Sequence, residues 1–333
     1  MMGGEILLLG DINVDTILPI PEFPVPGRDG LASHMSVAIG GAVVNTAFVL
    51  DNLSQKTILL GCVGADVWAE KIKQDLTKTN IDIKGIHTKS SYASGLTFII
   101  VTPDGERTMF SYRGANTRLA PEDIKESTFQ NAGLLHISGY AFLESPQKDT
   151  AWHAIELAKE KNIPVSLDTG LDPVVRDPDE MRQLLSELTI CITGKQEISV
   201  LSEGKTIDEA AKEMLSMGIQ LVAVKMGERG CLVYNHEEKF AFPSFFINVV
   251  DTTGAGDSFT AGFLYSWMKK LGLSAPTILA SALGALATTV YGAGSSLPQK
   301  QTLVDFLQFK KSKCNSMEQR AIEEVLAVLE STS

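Results

Sequence analysis

Short apolar runs alternate with helix-period segments along most of the chain. Ile6 to Leu9, Thr57 to Val63, Leu134 to Ile137, Pro164 to Leu167, Leu188 to Thr193 and Leu221 to Lys225 are runs of this kind. Each reads as a buried strand. Between them, Ala65 to Thr79, Gln147 to Lys161 and Ile207 to Met217 read as helices. The strand–helix rhythm predicts an α/β fold around a doubly wound sheet. A second group of runs breaks it. Ser94 to Val101 and Arg107 to Tyr112 alternate apolar and polar positions around Pro103-Asp104-Gly105, a hairpin signal. Ile81 to His87 reads as a third strand beside them. Pro19, Pro21, Pro24 and Pro26 exclude a helix before Gly27. The expectation is a small β appendage serving as a lid, with Phe98 and Phe110 as apolar cover for a ligand. Cys231 to Tyr234 and Lys239 to Phe242 form a further hairpin. Ala275 to Val290 and Ser316 to Leu329 are helices.

The 333 residues and 44% hydrophobic content allow one large α/β domain. No apolar run reaches the roughly 20 residues needed to span a bilayer. Met1-Met2-Gly3-Gly4-Glu5 puts no basic region before the Ile6 run, so a cytoplasmic protein is expected. The net charge of −11 disfavours nucleic acid and anionic membranes as partners, while a local site can still take an anionic substrate. Cys62, Cys191, Cys231 and Cys314 make no CxxC, and the five histidines make no metal-ligand spacing.

The candidate chemistry centres on Asp251-Thr252-Thr253-Gly254-Ala255-Gly256-Asp257. Phe259, Phe263 and Trp267 follow at helical spacing. A Gly-rich loop opening a buried helix leaves the amides of Gly254, Ala255 and Gly256 without intrahelical partners. With the helix dipole they form an anion site. Asp257 beside that site fits a base for an attacking hydroxyl. It equally fits an ordinary dipole-stabilising Asp. Asp11, Asn13 and Asp15 sit at alternate positions past the first strand. They suit either a polyhydroxylated ligand or a turn. Gly40-Gly41 opens a helix through Asn45. It allows a ligand close to the backbone, and it is also an unremarkable helix start. Glu144, Asp168, Glu197 and Lys225 lie at or near other strand ends. Those ends share one edge of a doubly wound sheet. No P-loop is present, and no GxGxxG follows the first strand.

Residues 251–257 with Ala261-Gly262 resemble the C-terminal signature of the ribokinase-like (PfkB) carbohydrate kinases. Gly40-Gly41, Asn45 and Gly64 resemble the N-terminal signature, with Val43 where a small residue or proline is usual. Gly114-Ala115-Asn116 and Leu143 to Pro146 are similar to the ribokinase branch, and Arg113 to the fructokinase and ketodeoxygluconate-kinase branches. The resemblance implies a three-layer α/β/α ribokinase-like domain over residues 1–310. Its lid would span about residues 12–39 and 92–114, and residues 311–333 would be a C-terminal helical extension. It implies an ATP-dependent, Mg²⁺-requiring kinase acting on a primary hydroxyl of a small sugar or sugar derivative, working as a homodimer through the lid. Asp257 would be the catalytic base and Gly254, Ala255 and Gly256 the anion hole. Asp15, Gly41, Asn45, Glu144 and Arg113 would bind substrate. Lys225, Gly227, Gly230 and Glu197 would serve ATP, with Glu197 acting indirectly on Mg²⁺. Asp251 and Thr253 would form a K⁺ site. Gly194 stands where an Asn is usual. A nucleoside kinase and a non-catalytic sugar-binding homologue are the alternative readings.

Overall fold

The computed structural model describes residues 4–103 and 107–331. Its strands in chain order begin with β1 (Glu5–Leu9), β2 (Asn13–Pro19), β3 (Ser36–Gly40), β4 (Thr57–Val63) and β5 (Asp82–Thr88). Next come β6 (Gly95–Val101), β7 (Arg107–Tyr112), β8 (Ala132–Ser138) and β9 (Val165–Asp168). The last four are β10 (Ile190–Gly194), β11 (Leu221–Lys225), β12 (Cys231–Tyr234) and β13 (Lys239–Phe242). Nine of them form one sheet in the order β13-β12-β11-β10-β9-β8-β1-β4-β5. All its pairings are parallel except those of β12 with β11 and β13.

Alternation along the central strands builds the layers. On β1, Ile6 and Leu8 join the core beneath Ala42–Asn52, Ala255–Lys269 and Ser274–Ala287, while Leu7 and Leu9 join the core beneath Gln147–Glu160 and Ile207–Ser216. Both faces of the sheet are covered, as a parallel sheet requires. Strand order reverses between β1, which continues into β4, and β8, on its other side. The crevice past the carboxyl ends of these strands is where open α/β sheets bind ligands.

The lid is a separate four-stranded sheet, β3-β2-β6-β7, with β2 and β6 parallel. Two expectations change here. The segment Ile81 to His87 is not a lid strand, because β5 pairs in parallel with β4 at the edge of the main sheet. Its alternation reflects an edge strand with one covered face. Phe98 and Phe110 do not cover the crevice. They face each other across β6 and β7 at 41% and 58% exposure. Thr97, which neighbours Phe98 and pairs with Asp15, lies on the opposite face. Asp104 and Gly105 of the predicted hairpin turn lie outside the described residues. Among the described residues no helix is long and apolar enough to cross a membrane.

The C-terminal helix Ser316–Ser331 packs Ala321, Ile322, Val325 and Leu329 into the larger core beside Ser274–Ala287. Ile322 is fully buried. Ile322→Ala is expected to lower unfolding free energy by about 2–5 kcal/mol. Denaturant unfolding measures this. A loss under about 1 kcal/mol, within the range of surface substitutions, would show that this helix is not part of the core.

Candidate active site

The helix Ala255–Lys269 begins in the crevice because Gly254 takes a left-handed conformation, φ 75°. A side chain at Gly254 would be strained by that φ and would also meet Leu297 at 2.9 Å. Asp257 therefore sits in the first turn, beside the loop amides. Its Oδ2 accepts a 2.7 Å hydrogen bond from Asn45 Nδ2, and its backbone carbonyl accepts from Thr46 Oγ1 at 3.3 Å. Asn45 Oδ1 in turn accepts from the Gly294 amide at 3.1 Å. Asn45 is thus a bridge across three segments of chain. It sits on the Ala42–Asn52 helix, which can start only because Gly41 has φ 99°. A Cβ on Gly41 would lie 2.2 Å from the Asp11 carbonyl.

Opposite stands Lys225 at the end of β11. Its Nζ donates to both oxygens of Asp168, at 2.8 and 2.7 Å, and Thr260 Oγ1 donates to Asp168 Oδ2 at 2.7 Å. Lys225 Nζ lies 3.6 Å from where a Cβ on Gly256 would be, so this cation borders the loop. Gly227 and Gly230 shape the β11–β12 turn, both at positive φ. A Cβ on Gly230 would come within 2.0 Å of the Phe242 carbonyl, so the fold itself requires glycine there. Glu197 folds back over Gly194. Its Oε2 lies 2.0 Å from where a Gly194 Cβ would be. The Gly that replaces the usual Asn is therefore the space that Glu197 fills.

At the lid end, Asp15 on β2 is buried and faces Asp257. Arg113 Nε and Nη2 grip Asp11 at 2.8 and 2.9 Å. Nη2 also donates to the Tyr140 carbonyl at 2.9 Å and to Gln147. Nη1 is buried without a hydrogen bond among the described residues. Glu144 is exposed, and its charge acts on Arg113. Asn116 fixes the turn after β1, accepting from the Ile12 amide and donating to Asn13.

Asp251 and Thr253 do not fit the K⁺ role that the resemblance implies. Asp251 Oδ1 accepts from the Thr253 amide and hydroxyl at 2.9 and 2.8 Å, and Oδ2 accepts from the Gly292 amide at 2.8 Å. Arg107 Nη1 lies 3.9 Å from Oδ1. The carboxylate is directed at donors, and an ion bound to it would face a guanidinium. Glu197 does fit Mg²⁺, a hard cation usually held by one or two carboxylates and substrate phosphates.

Electrostatics separates the carboxylates. Burial pushes Asp257 up to about 6. The Asn45 hydrogen bond opposes that shift, Asp168 adds to it, and Lys225 and Arg107 oppose it. Burial and the Asp257 charge push Asp15 up to about 7, against a hydrogen bond from Thr97.

Comparison with known proteins places this geometry. Residues 4–300 match the model of the pfkB family carbohydrate kinases. The chain belongs to this family. The kinase is 27% identical over 312 residues to the ribokinase of Haemophilus influenzae, covering 92% of this chain and 99% of the relative. It is 28% identical over 303 residues to the ATP-dependent ribose-1-phosphate kinase of Halopiger xanaduensis, covering 91% and 98%. The crystal structure of ribokinase from Thermotoga maritima superposes with TM-score 0.79 at 27% identity, covering 92% and 99%. The three-layer domain and lid of this kinase are the family fold.

Of the residues singled out in the sequence, Asp15, Asn45, Asp257, Lys225 and the Gly254–Gly256 loop meet in one crevice. Asp11, Arg107, Gln147 and Thr260 also belong to it and were not singled out as site residues. Asp11 shared an alternating pattern with Asn13 and Asp15. The others carried no local signal.

As a base, Asp257 must be ionised, so kcat is expected to rise with pH through about 6. Asp257→Asn should lose about 10²–10⁴-fold in kcat. The sign for stability is opposite. Both raised carboxylates stabilise the fold while protonated, fully so below their unfolded pKa of about 4. That contribution disappears as pH rises through about 6 for Asp257 and about 7 for Asp15. Asp257→Asn should therefore melt no lower than wild type at alkaline pH. A pH-rate profile and a melting curve test both. A variant keeping most of its turnover would remove Asp257 as the base.

Proposed function

We propose that this carbohydrate kinase transfers the γ-phosphoryl group of ATP to a primary hydroxyl of a small neutral sugar. The observation that carries the reading is Asp257, held by Asn45 beside three loop amides and facing Asp15 under the lid. Asp257 accepts the hydroxyl proton as the sugar oxygen bonds to the γ-phosphorus, and the bond from phosphorus to the bridging oxygen of ADP breaks. The amides of Gly254, Ala255 and Gly256 stabilise charge on the transferring group. Lys225, oriented by Asp168, adds a positive charge on the same side. Glu197 would help to hold Mg²⁺, which would supply neutralisation of phosphate charge. The turn at Gly227 and Gly230 lies on the nucleotide side.

Neutrality of the sugar follows from the other end of the crevice. Asp11, Asp15, Glu144 and Asp257 surround it, and its cation, Arg113, is already paired with Asp11. Arg113 Nη1 remains as a donor for a sugar oxygen. A carboxylate or phosphate on the substrate would meet like charges, with no free cation there among the described residues. A panel assay is expected to give kcat/KM for the best neutral pentose or hexose at least about tenfold above its acid or phosphate forms, a difference of about 1.4 kcal/mol. It should also exceed every nucleoside tested. Preference for a sugar phosphate, or for a nucleoside, would overturn this reading.

The outer lid face supports a homodimer. Phe98, Phe110 and Tyr112 stand together on it, and small isolated sheets are marginally stable. Sedimentation at micromolar concentration should show a dimer, and Phe98→Glu with Phe110→Glu should shift it to monomer. A wild-type monomer would exclude the interface.

A further inference from the structure

Arg107 opens β7, the edge strand of the lid, yet its side chain ends on the main domain. Nη1 donates to Thr253 Oγ1 at 3.1 Å and lies 3.9 Å from Asp251 Oδ1. Thr253 immediately precedes Gly254, whose left-handed conformation aims the loop amides. Asp251 holds Thr253 by two hydrogen bonds and the Gly292 amide by a third. The Gly292 position is itself within 3.2 Å of Ile17 on the lid, measured from a built Cβ. Lid, loop and the Gly292 turn therefore meet at Asp251, and Arg107 is the cation at that junction.

We propose that Arg107 is a positioning residue delivered by the lid: its guanidinium docks on Thr253 and Asp251 as the lid closes, fixes the loop that carries the anion-hole amides, and supplies the positive charge that a monovalent cation would otherwise provide. The physical need is specific. Glycine-rich backbone has wide conformational freedom, and oxyanion donors are effective only when fixed in advance. A partly buried carboxylate such as Asp251 needs a compensating charge. A planar guanidinium presents its donors in a fixed fork and is always charged. Because Arg107 belongs to the lid, the loop is completed only when the substrate is enclosed, which favours transfer to the sugar over transfer to water.

The proposal rests on Asp257 as base and on the loop amides as anion hole, but not on which sugar is used. Wild type, Arg107→Gln and Arg107→Lys are compared with whichever sugar gives the highest kcat/KM. Each is assayed in potassium chloride and in tetramethylammonium chloride at equal ionic strength. We expect wild-type kcat to change less than about twofold between the salts. Arg107→Gln should lose about 10²-fold in kcat, the scale of one oxyanion donor. Its melting temperature should stay near wild type, and Arg107→Lys should recover part of the loss.

The acidic limb of kcat distinguishes this role from a merely structural one. Asp257 also faces Asn45, Asp15, Asp168, Lys225 and Tyr140, all unchanged in the variant. Loss of the guanidinium should therefore move that limb to higher pH. Arg107→Gln keeping more than half of wild-type kcat with an unmoved limb would overturn the proposal. So would a wild-type enzyme that loses more than about tenfold without potassium. If Arg107→Gln does not fold, Arg107→Lys decides by the same readouts. Activity retained in Asp257→Asn would instead sink the base assignment, a separate outcome.

Discussion

The site depends on holding several carboxylates in one crevice while one of them, Asp257, is bonded by a neutral amide and not by a cation. Asp168 is met by Lys225 and Thr260, and Asp251 by Thr253, Gly292 and Arg107. Asp11 is met by Arg113 and Gln147. These are fixed by their partners. Among the described residues Asp257 has a single side-chain hydrogen bond, from a neutral amide, and Asp15 faces it. Both therefore resist ionisation, and Asp257 settles where a carboxylate can still accept a proton near neutral pH. The unequal distribution of partners among chemically identical groups sets Asp257 and Asp15 apart from the rest.

The same contacts tie the architecture together. The helices Ala42–Asn52 and Ala255–Lys269 both begin at the crevice, and Asn45 and Thr46 join the first to Asp257 on the second. Asn45 adds the Gly294 turn. Positive-φ glycines at 41 and 254 allow each helix to start where a side chain would meet the Asp11 carbonyl in the first case and Leu297 in the second. The amides at the head of the second helix face the crevice without a separate binding loop. In our reading, a kinase with no P-loop can thereby hold phosphate.

The lid adds the element that the main domain lacks. Its inner face brings Asp15 and Thr97 to the crevice, and the start of β7 brings Arg107 to the loop. Its outer face is aromatic and exposed. One small sheet thus serves enclosure on one side and, in our reading, association on the other.

The sequence by itself determined the strand–helix order, most element boundaries to within a few residues, and the family. Those rest on local periodicity and on the contiguous stretch 251–257, where loop, helix start and Asp257 are adjacent in the chain. It also marked Asp15, Asn45 and Lys225 as polar groups at element ends. The tertiary structure alone decided the rest. Strand Asp82–Thr88 belongs to the main sheet because pairing is set by distant partners that alternation cannot identify. Phe98 faces away from the crevice because register with Asp15 fixes its side. Asn45 meets Asp257 across 212 residues of chain, and Arg107 meets Thr253, beside Asp251, across 146. Charge compensation is a property of distance in space, and no local pattern in the chain encodes which carboxylate receives which partner.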